Sequence, residues 1–218
     1  GKSTLLKMIY GGLHAALGTM MALRARHRGG KGQLVAAAIY ESVLSVMENL
    51  ITEYGLTGYI RERSGSVLPG IAPSNAYPTR DGALVVIGAN QDTLFKRLCE
   101  AMGRPELSED PRYAGHAARG ENQTELDALI GGWTTTLDAD ALLALMETKG
   151  VAAGRVYRAP DMLADPQFVA REAIVEVEHP VFGDVKMQNA FPKLSDTPGG
   201  VRWPGPGLGE HTDAILVE

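Results

Sequence analysis

The chain has 218 residues, of which 44% are hydrophobic and 22% charged, ordinary values for a globular protein able to bury a core. Its 21 Lys and Arg stand against 26 Asp and Glu, and a net charge of -5 argues against a general nucleic-acid binder. No apolar run approaches the roughly 20 residues that span a bilayer, nothing reads as a signal peptide, and a single cysteine, Cys99, excludes an intramolecular disulfide and fits a reducing cytoplasm.

The first residues, "GKSTLLKMIYGG", read as the second half of a phosphate-binding loop. A working loop needs a strand, an earlier glycine and four more residues, whose backbone N–H groups make the anion nest. None of these precedes Gly1 here. Gly1 to Tyr10 locally resembles the loop of ABC-transporter ATPases, but no Leu-Ser-Gly-Gly-Gln signature and no apolar strand ending in Asp-Glu follows. Residues 1–9 are therefore expected to be foreign or misjoined rather than a nucleotide site.

Leu13, Leu17, Met20 and Met21 share one face and predict a helix from Gly12 to about His27. Arg24, Arg26, His27 and Arg28 crowd its end before Gly29 and Gly30. Cations and glycine suit a helix C-terminus, and this reading outweighs a phosphate-binding basic patch. Val35, Ile39, Val43, Val46 and Leu50 predict a second long helix from about Val35 to Tyr54. From Gly55 to Pro78, glycine, proline and serine with little periodicity indicate a linker or a functional loop.

A turn at Asp81-Gly82 then leads into a buried strand, Ala83 to Gly88. Asn90 can cap a helix carrying Leu94, Leu98 and Met102, which Gly103 and Pro105 end. Further helices are expected over about Glu121–Trp133 and from Asp138 to Lys149-Gly150, followed by a short strand in "VAAGRVY". Pro160 and Pro166 mark helix starts, the second behind a capping Asp165. Val175 and Val177 alternate with Glu176 and Glu178 in a strand wet on one face, and a turn at Gly183-Asp184 leads to a partner strand, Val185–Met187. After Phe191 the chain is irregular. The expected organisation is a helical arm (residues 1–58), a small α+β domain with its linkers (59–188) and a C-terminal return (189–218).

Chemistry is sparse. There is no Gly-x-Ser-x-Gly elbow and no Cys/His spacing suited to a metal, so no metal site is expected. His14 and His211 read as structural, Asp161 and Asp165 as caps, and Cys99 as a packed thiol.

Four separated stretches in register supply what single residues do not: "GGLHAALGTMMALRARHRGGKGQ", "PSNAYPTRDGALVVIGANQDTLFKRLCEAMGRPEL", "GVAAGRVYRAPDMLADPQFVARE" and "GPGLGEHTDAIL". Together they resemble the class III CoA-transferases of the CaiB/BaiF type (formyl-CoA/succinyl-CoA transferase-like), over about residues 10 to 215. The resemblance implies an α/β fold: the helical arm and the return would belong to a large Rossmann-like domain whose first half lies outside this sequence, interrupted by the small α+β domain. It implies an intertwined homodimer, with acyl-CoA and a carboxylic acid (a dicarboxylate such as succinate, glutarate or oxalate) as substrates; the charge, hydropathy and single cysteine add the expectation of a cytoplasmic protein with no nucleic-acid or membrane partner. The resemblance also implies no bound cofactor, coenzyme A thioester being itself the substrate. In the family one aspartate is acylated to a mixed anhydride and then carries CoA as a thioester, which is covalent catalysis by a carboxylate. The matching position here, six residues before His14, is Met8, so no catalytic residue is assigned and the chain alone is expected to be inactive. A flexible small-residue loop that closes over the family's site matches Gly70, Ile71, Ala72, Pro73, Ser74 and Asn75, which an ordinary linker explains equally well. An α-methylacyl-CoA racemase branch of the family, and a non-catalytic interaction module, remain as alternatives.

Overall fold

The structure is a computed structural model that describes residues 2–217. It divides into two compact units at the Arg63–Ser64 junction.

In the first unit, helix α1 runs from Lys2 to Gly29. It starts ten residues earlier than the apolar stripe predicts, because Leu5, Leu6, Lys7 and Met8 are good helix formers and no proline interrupts them. It ends as expected: Arg26, His27 and Arg28 occupy the last turn, and Gly30 at φ +75° donates its N–H to Arg26 O.

The predicted helix over 35–54 is instead two, α2 (Ile39–Leu44) and α3 (Leu50–Thr57), and Val35 is not helical. The hydroxyls of Ser42 and Ser45 donate to the carbonyls of Ala38 and Ser42, Ser45 Oγ also meets His14 Nε2 at 3.3 Å, and Glu48 takes φ +53°. Serine hydroxyls that bond the backbone locally compete with helix continuation. Val35 and Ile39 lie against glycines of α1: a Cβ on Gly18 would stand 2.9 Å from Val35 Cγ1, and one on Gly11 3.4 Å from Ile39 Cγ1.

The second unit begins with a three-stranded antiparallel sheet of order β1 (Ser74–Pro78), β2 (Leu84–Gly88), β3 (Ala152–Arg155). Register runs from Ser74↔Gly88 to Pro78↔Leu84, and from Val85↔Arg155 to Gly88↔Ala152. Gly82 at φ +76° makes the β1–β2 turn. Four helices join it: α4 (Asp92–Ala101), α5 (His116–Glu121), α6 (Gln123–Thr134) and α7 (Ala139–Lys149), with a 3-10 turn at Pro105–Ser108. They cover one face of the sheet. Val85 and Ile87 are fully buried there with Tyr77, Phe95, Leu98, Leu126, Ile130, Leu142 and Met146, while Leu84 and Val86 point outward, 43% and 46% exposed. The strand is therefore buried on one side rather than both.

Asn90 does not cap α4. Gln91 takes that place, and the Asn90 amide donates to Ser74 Oγ at 3.2 Å. Gly150 at φ +62° ends α7, as its sequence position predicts.

Beyond β3, α8 (Ala159–Ala164) and α9 (Pro166–Ala170) carry proline in their first turns, and Asp165 caps α9 by accepting from Gln167 N–H at 2.6 Å. A two-stranded sheet follows, β4 (Ile174–His179) with β5 (Gly183–Gln188), pairing Val175 with Met187 and Val177 with Val185. The final helix α10 spans Thr212–Val217. Among the described residues no helix is long and apolar enough to cross a membrane.

Candidate functional site

Leu68-Pro69-Gly70-Ile71 is a tight turn. Ile71 N–H donates to Leu68 O at 3.1 Å, and Gly70 sits at φ +76°. Proline at the second position and glycine at the third are what a type II turn requires, because the third residue must take a positive φ that a Cβ resists. The turn tip is exposed, Ile71 is half-buried, and Ala72 and Pro73 are buried. Ser74 and Asn75 are already the first residues of β1. Of the six residues 70–75, then, only Gly70 is exposed.

What holds the turn is one edge of α5 and α6. Gln123 is 8% exposed and spends its whole amide on the turn. Its Oε1 accepts from Gly70 N–H at 3.1 Å, and its Nε2 donates to Leu68 O at 3.0 Å and Ile71 O at 3.4 Å. Gly120 stands beside it: a Cβ there would lie 2.6 Å from Gly70 O, so the turn approaches the helix as closely as it does because residue 120 has no side chain.

Arg119 is wholly buried. Its Nε donates to Ala72 O at 3.1 Å, Nη1 to Tyr113 O at 2.9 Å, and Nη2 to Asn90 O at 2.8 Å and Asp92 Oδ1 at 2.6 Å. Its guanidinium carbon lies 4.7 Å from the centroid of the Phe95 ring. A buried cation is tolerated when its nitrogens are hydrogen-bonded and a carboxylate is at hand; all three nitrogens are bonded here, and Asp92 supplies the carboxylate. Because Ala72 O and Asn90 O share this guanidinium, and Ala89 N–H donates to Pro73 O at 3.0 Å, the 70–73 segment and the β2–α4 turn form one joined rim. His116 completes it, donating from Nδ1 to Asn90 O at 3.2 Å.

A second network anchors the strand end. Asn75 Nδ2 donates to Asp127 Oδ2 at 3.1 Å, the Tyr77 hydroxyl donates to Asp127 Oδ1, and Ser66 Oγ donates to Asn75 Oδ1 at 2.6 Å. Burial, helped by the Asp127 carboxylate, pushes the Tyr77 phenol well above its ordinary pKa and keeps it a neutral donor.

The only hydroxyl of residues 70–75 is that of Ser74, which accepts from the Asn90 amide and, among the described residues, has no base bonded to it. The segment offers backbone amides, small side chains and an exposed glycine tip, which suits shielding and positioning rather than bond-making.

Met8 lies on α1, 63% exposed. His14, half-buried on the same helix, donates from Nδ1 to Tyr10 O at 2.9 Å. Cys99 is in the core, and burial pushes its thiol up to about 11, a state too poorly ionised to attack. His211 packs edge-on to Trp203 at 6.3 Å. Asp161 and Asp165 serve helix starts: Asp161 accepts from Arg158 N–H at 2.7 Å. Among the described residues no three His, Cys, Asp or Glu side chains are grouped to hold a metal.

Sequence reading did not single out Arg119, Gly120, Gln123 or Asp127. A signal exists for Gly120 alone. A glycine inside a helical stretch costs about 1 kcal/mol relative to alanine, which points to a close approach of backbone at Gly120.

Comparison with known proteins gives a consistent picture. The family model described as CoA-transferase family III matches residues 3–212. The chain is 56% identical over 204 residues to succinyl-CoA–D-citramalate CoA-transferase of Chloroflexus aurantiacus, covering 94% of this chain and 51% of that protein. It is 35% identical to the succinyl-CoA:mesaconate CoA-transferase of Haloarcula marismortui, over 93% of this chain and 50% of that one. Among solved structures, a CaiB/BaiF family protein from Brucella suis matches with a TM-score of 0.76 and 31% identity, covering 95% of this chain and 53% of its own. The chain thus spans about half the length of the curated relatives it matches.

Proposed function

The chain belongs to CoA-transferase family III, and on that premise we propose that the protein it comes from moves coenzyme A from succinyl-CoA to a small branched or hydroxylated dicarboxylic acid of the citramalate type. The observation that carries this is the 56% identity, maintained over 94% of the chain, to a transferase of that substrate pair. The relatives' names favour group transfer over exchange of an α-proton.

The chemistry is a double displacement. A carboxylate attacks the thioester carbonyl and expels CoA thiolate, leaving a mixed anhydride. The thiolate then attacks the enzyme's own acyl carbon and releases succinate. The incoming acid attacks the resulting enzyme thioester, and the thiolate finally returns to the substrate acyl group. Mixed anhydrides hydrolyse readily, so a wall that excludes water is needed. In this reading the Leu68–Asn75 segment, with its small exposed tip, is part of that wall.

Met8 occupies the position of the acylated aspartate, and a thioether cannot form an anhydride. The chain as it stands is therefore proposed to lack turnover. We propose also that the protein acts in the cytoplasm as a homodimer without a bound cofactor. The exposed apolar residues Leu13, Leu17, Met20 and Met21 on α1, 56–65% open, support an interface there.

The test is direct. Succinyl-CoA is mixed with D-citramalate, L-malate or glutarate, and new acyl-CoA species are read by mass spectrometry. The 218-residue chain should give none, and the whole protein with aspartate at this position should favour citramalate. Turnover by the Met8 chain would overturn the assignment of the nucleophile, and transfer to none of the three acids by the whole protein would overturn the substrate class.

A further inference from the structure

We infer that Gln123 is a positioning residue, a releasable latch on the Leu68–Ile71 turn, which works against a permanent anchor at Arg119. The inference rests on the reading that this turn borders the site of CoA transfer.

The two side chains hold adjacent parts of one segment by bonds of different character. Arg119 grips Ala72 O from within the core, where its charge is buried, stacked on Phe95 and shared among three carbonyls and Asp92. Letting go would leave a buried cation and three carbonyls short of partners, so Ala72 and everything after it is fixed. Gln123 grips Leu68, Gly70 and Ile71 through a neutral amide. Of the groups it would release, Leu68 O and Gly70 N–H belong to exposed residues and Ile71 O to a half-buried one, so water can reach the first two in place of the lost partner. Gly70 supplies the backbone freedom, since it has no Cβ to restrict its φ and ψ and already sits at a positive φ. The pivot lies between Ile71, half-buried, and Ala72, buried.

Gly120 makes the arrangement one-sided. A Cβ on residue 120 would lie 2.6 Å from Gly70 O, so the latched turn has no room for a side chain there and an alanine would push it outward. A segment with a fixed base, a neutral three-bond latch and a glycine tip has two positions, and substrate contacts at the tip would bias between them.

Hydrogen–deuterium exchange on the 218-residue chain tests this without any activity. In Gln123→Ala, the amides of Gly70 and Ile71 should exchange at least tenfold faster, while the ladder amides of β1 and β2 stay as slow as before. Gly120→Ala should do the same by wedging the turn away, and it keeps helix propensity, so the fold is retained. Unchanged exchange at Gly70 and Ile71 in both variants, or an equal rise across the whole second unit, would overturn the latch. In the transferase that carries this segment, Gln123→Ala should raise the share of succinyl-CoA lost to water several-fold while leaving KM for succinyl-CoA unchanged. An unaltered hydrolysis share alongside a loosened turn would overturn the link to the reaction. An intact-Gln123 enzyme that transfers no CoA would refute the proposed function, with the exchange result still judging the latch.

Discussion

Arg119 is fully buried, yet it meets at 2.6 Å the carboxylate of Asp92, whose side chain is 69% exposed. The charge is thus neutralised from the surface while its other donors work inside. Removing the cation and removing its counter-ion should therefore differ widely. Arg119→Met leaves the carbonyls of Ala72 and Asn90 without their shared donor and should cost about 3–5 kcal/mol in urea unfolding. Asp92→Asn keeps a hydrogen-bond acceptor and should cost no more than about 1–2 kcal/mol. Equal losses in the two variants would mean that the ion pair, not the backbone contacts, carries the stability.

The Asn75–Asp127–Tyr77 network ties β1 to α6 through one carboxylate. Tyr77→Phe leaves Asp127 with Asn75 alone and should cost about 1.5–3 kcal/mol, a net hydrogen bond to a charged group. Asp127→Ala orphans the buried Tyr77 hydroxyl as well and should cost more. Thermal melts of the two variants read the order directly.

Cys99 should report unfolding. Its thiol, held near 11 by burial, should resist iodoacetamide at pH 8 and react only when the second unit opens. The linkage sign follows from the raised value. The contribution is fully present below the ordinary thiol pKa of about 8.5 and is lost as pH rises towards 11. Cys99→Ala should flatten that alkaline loss, measured as denaturation midpoints between those values.

At the acid end the sign reverses. Hydrogen bonds from Arg80 hold Asp138 below the ordinary carboxylate range, and bonds from Thr79 hold Asp81 there. The Tyr157 hydroxyl does the same for Asp165. Depressed carboxylates add stability above their unfolded pKa of about 4 and lose it as pH falls through their lower folded values. Melting temperature should be level above about pH 5 and decline below it. Asp138→Asn should reduce the slope slightly, because these groups are at the surface and screened.

Leu13, Leu17, Met20 and Met21 leave an apolar stripe on α1 more than half exposed, the kind of surface that associates. The chain should form oligomers or aggregates at micromolar concentration, seen by light scattering. Leu17→Lys with Met21→Lys should suppress them. A clean monomer of the unaltered chain would sink the expectation.

Much of this protein is decided locally and can be read along the chain. The 3.6 period places α4, α6 and α7, Gly30 and Gly150 end their helices, Asp165 starts α9, and Val175 and Val177 mark one face of β4. The family was legible too, from four stretches in register. These signals survive because they depend on backbone sterics and on contacts within a turn or a strand.

Other features depend on partners far along the sequence. β1 hides in "SNAYP", bracketed by prolines, and becomes a strand by pairing with β2. The stripe over 35–54 predicts one helix, but Ser45 meets His14 on α1 and the helix breaks. Arg119 looks like a solvated charge, and nothing near it in sequence reveals that Ala72, 47 residues away, and Asp92, 27 away, await it. Local geometry is set by each residue and its neighbours. Which polar group may be buried is set by what the fold brings to it, and only the tertiary structure supplies that partner.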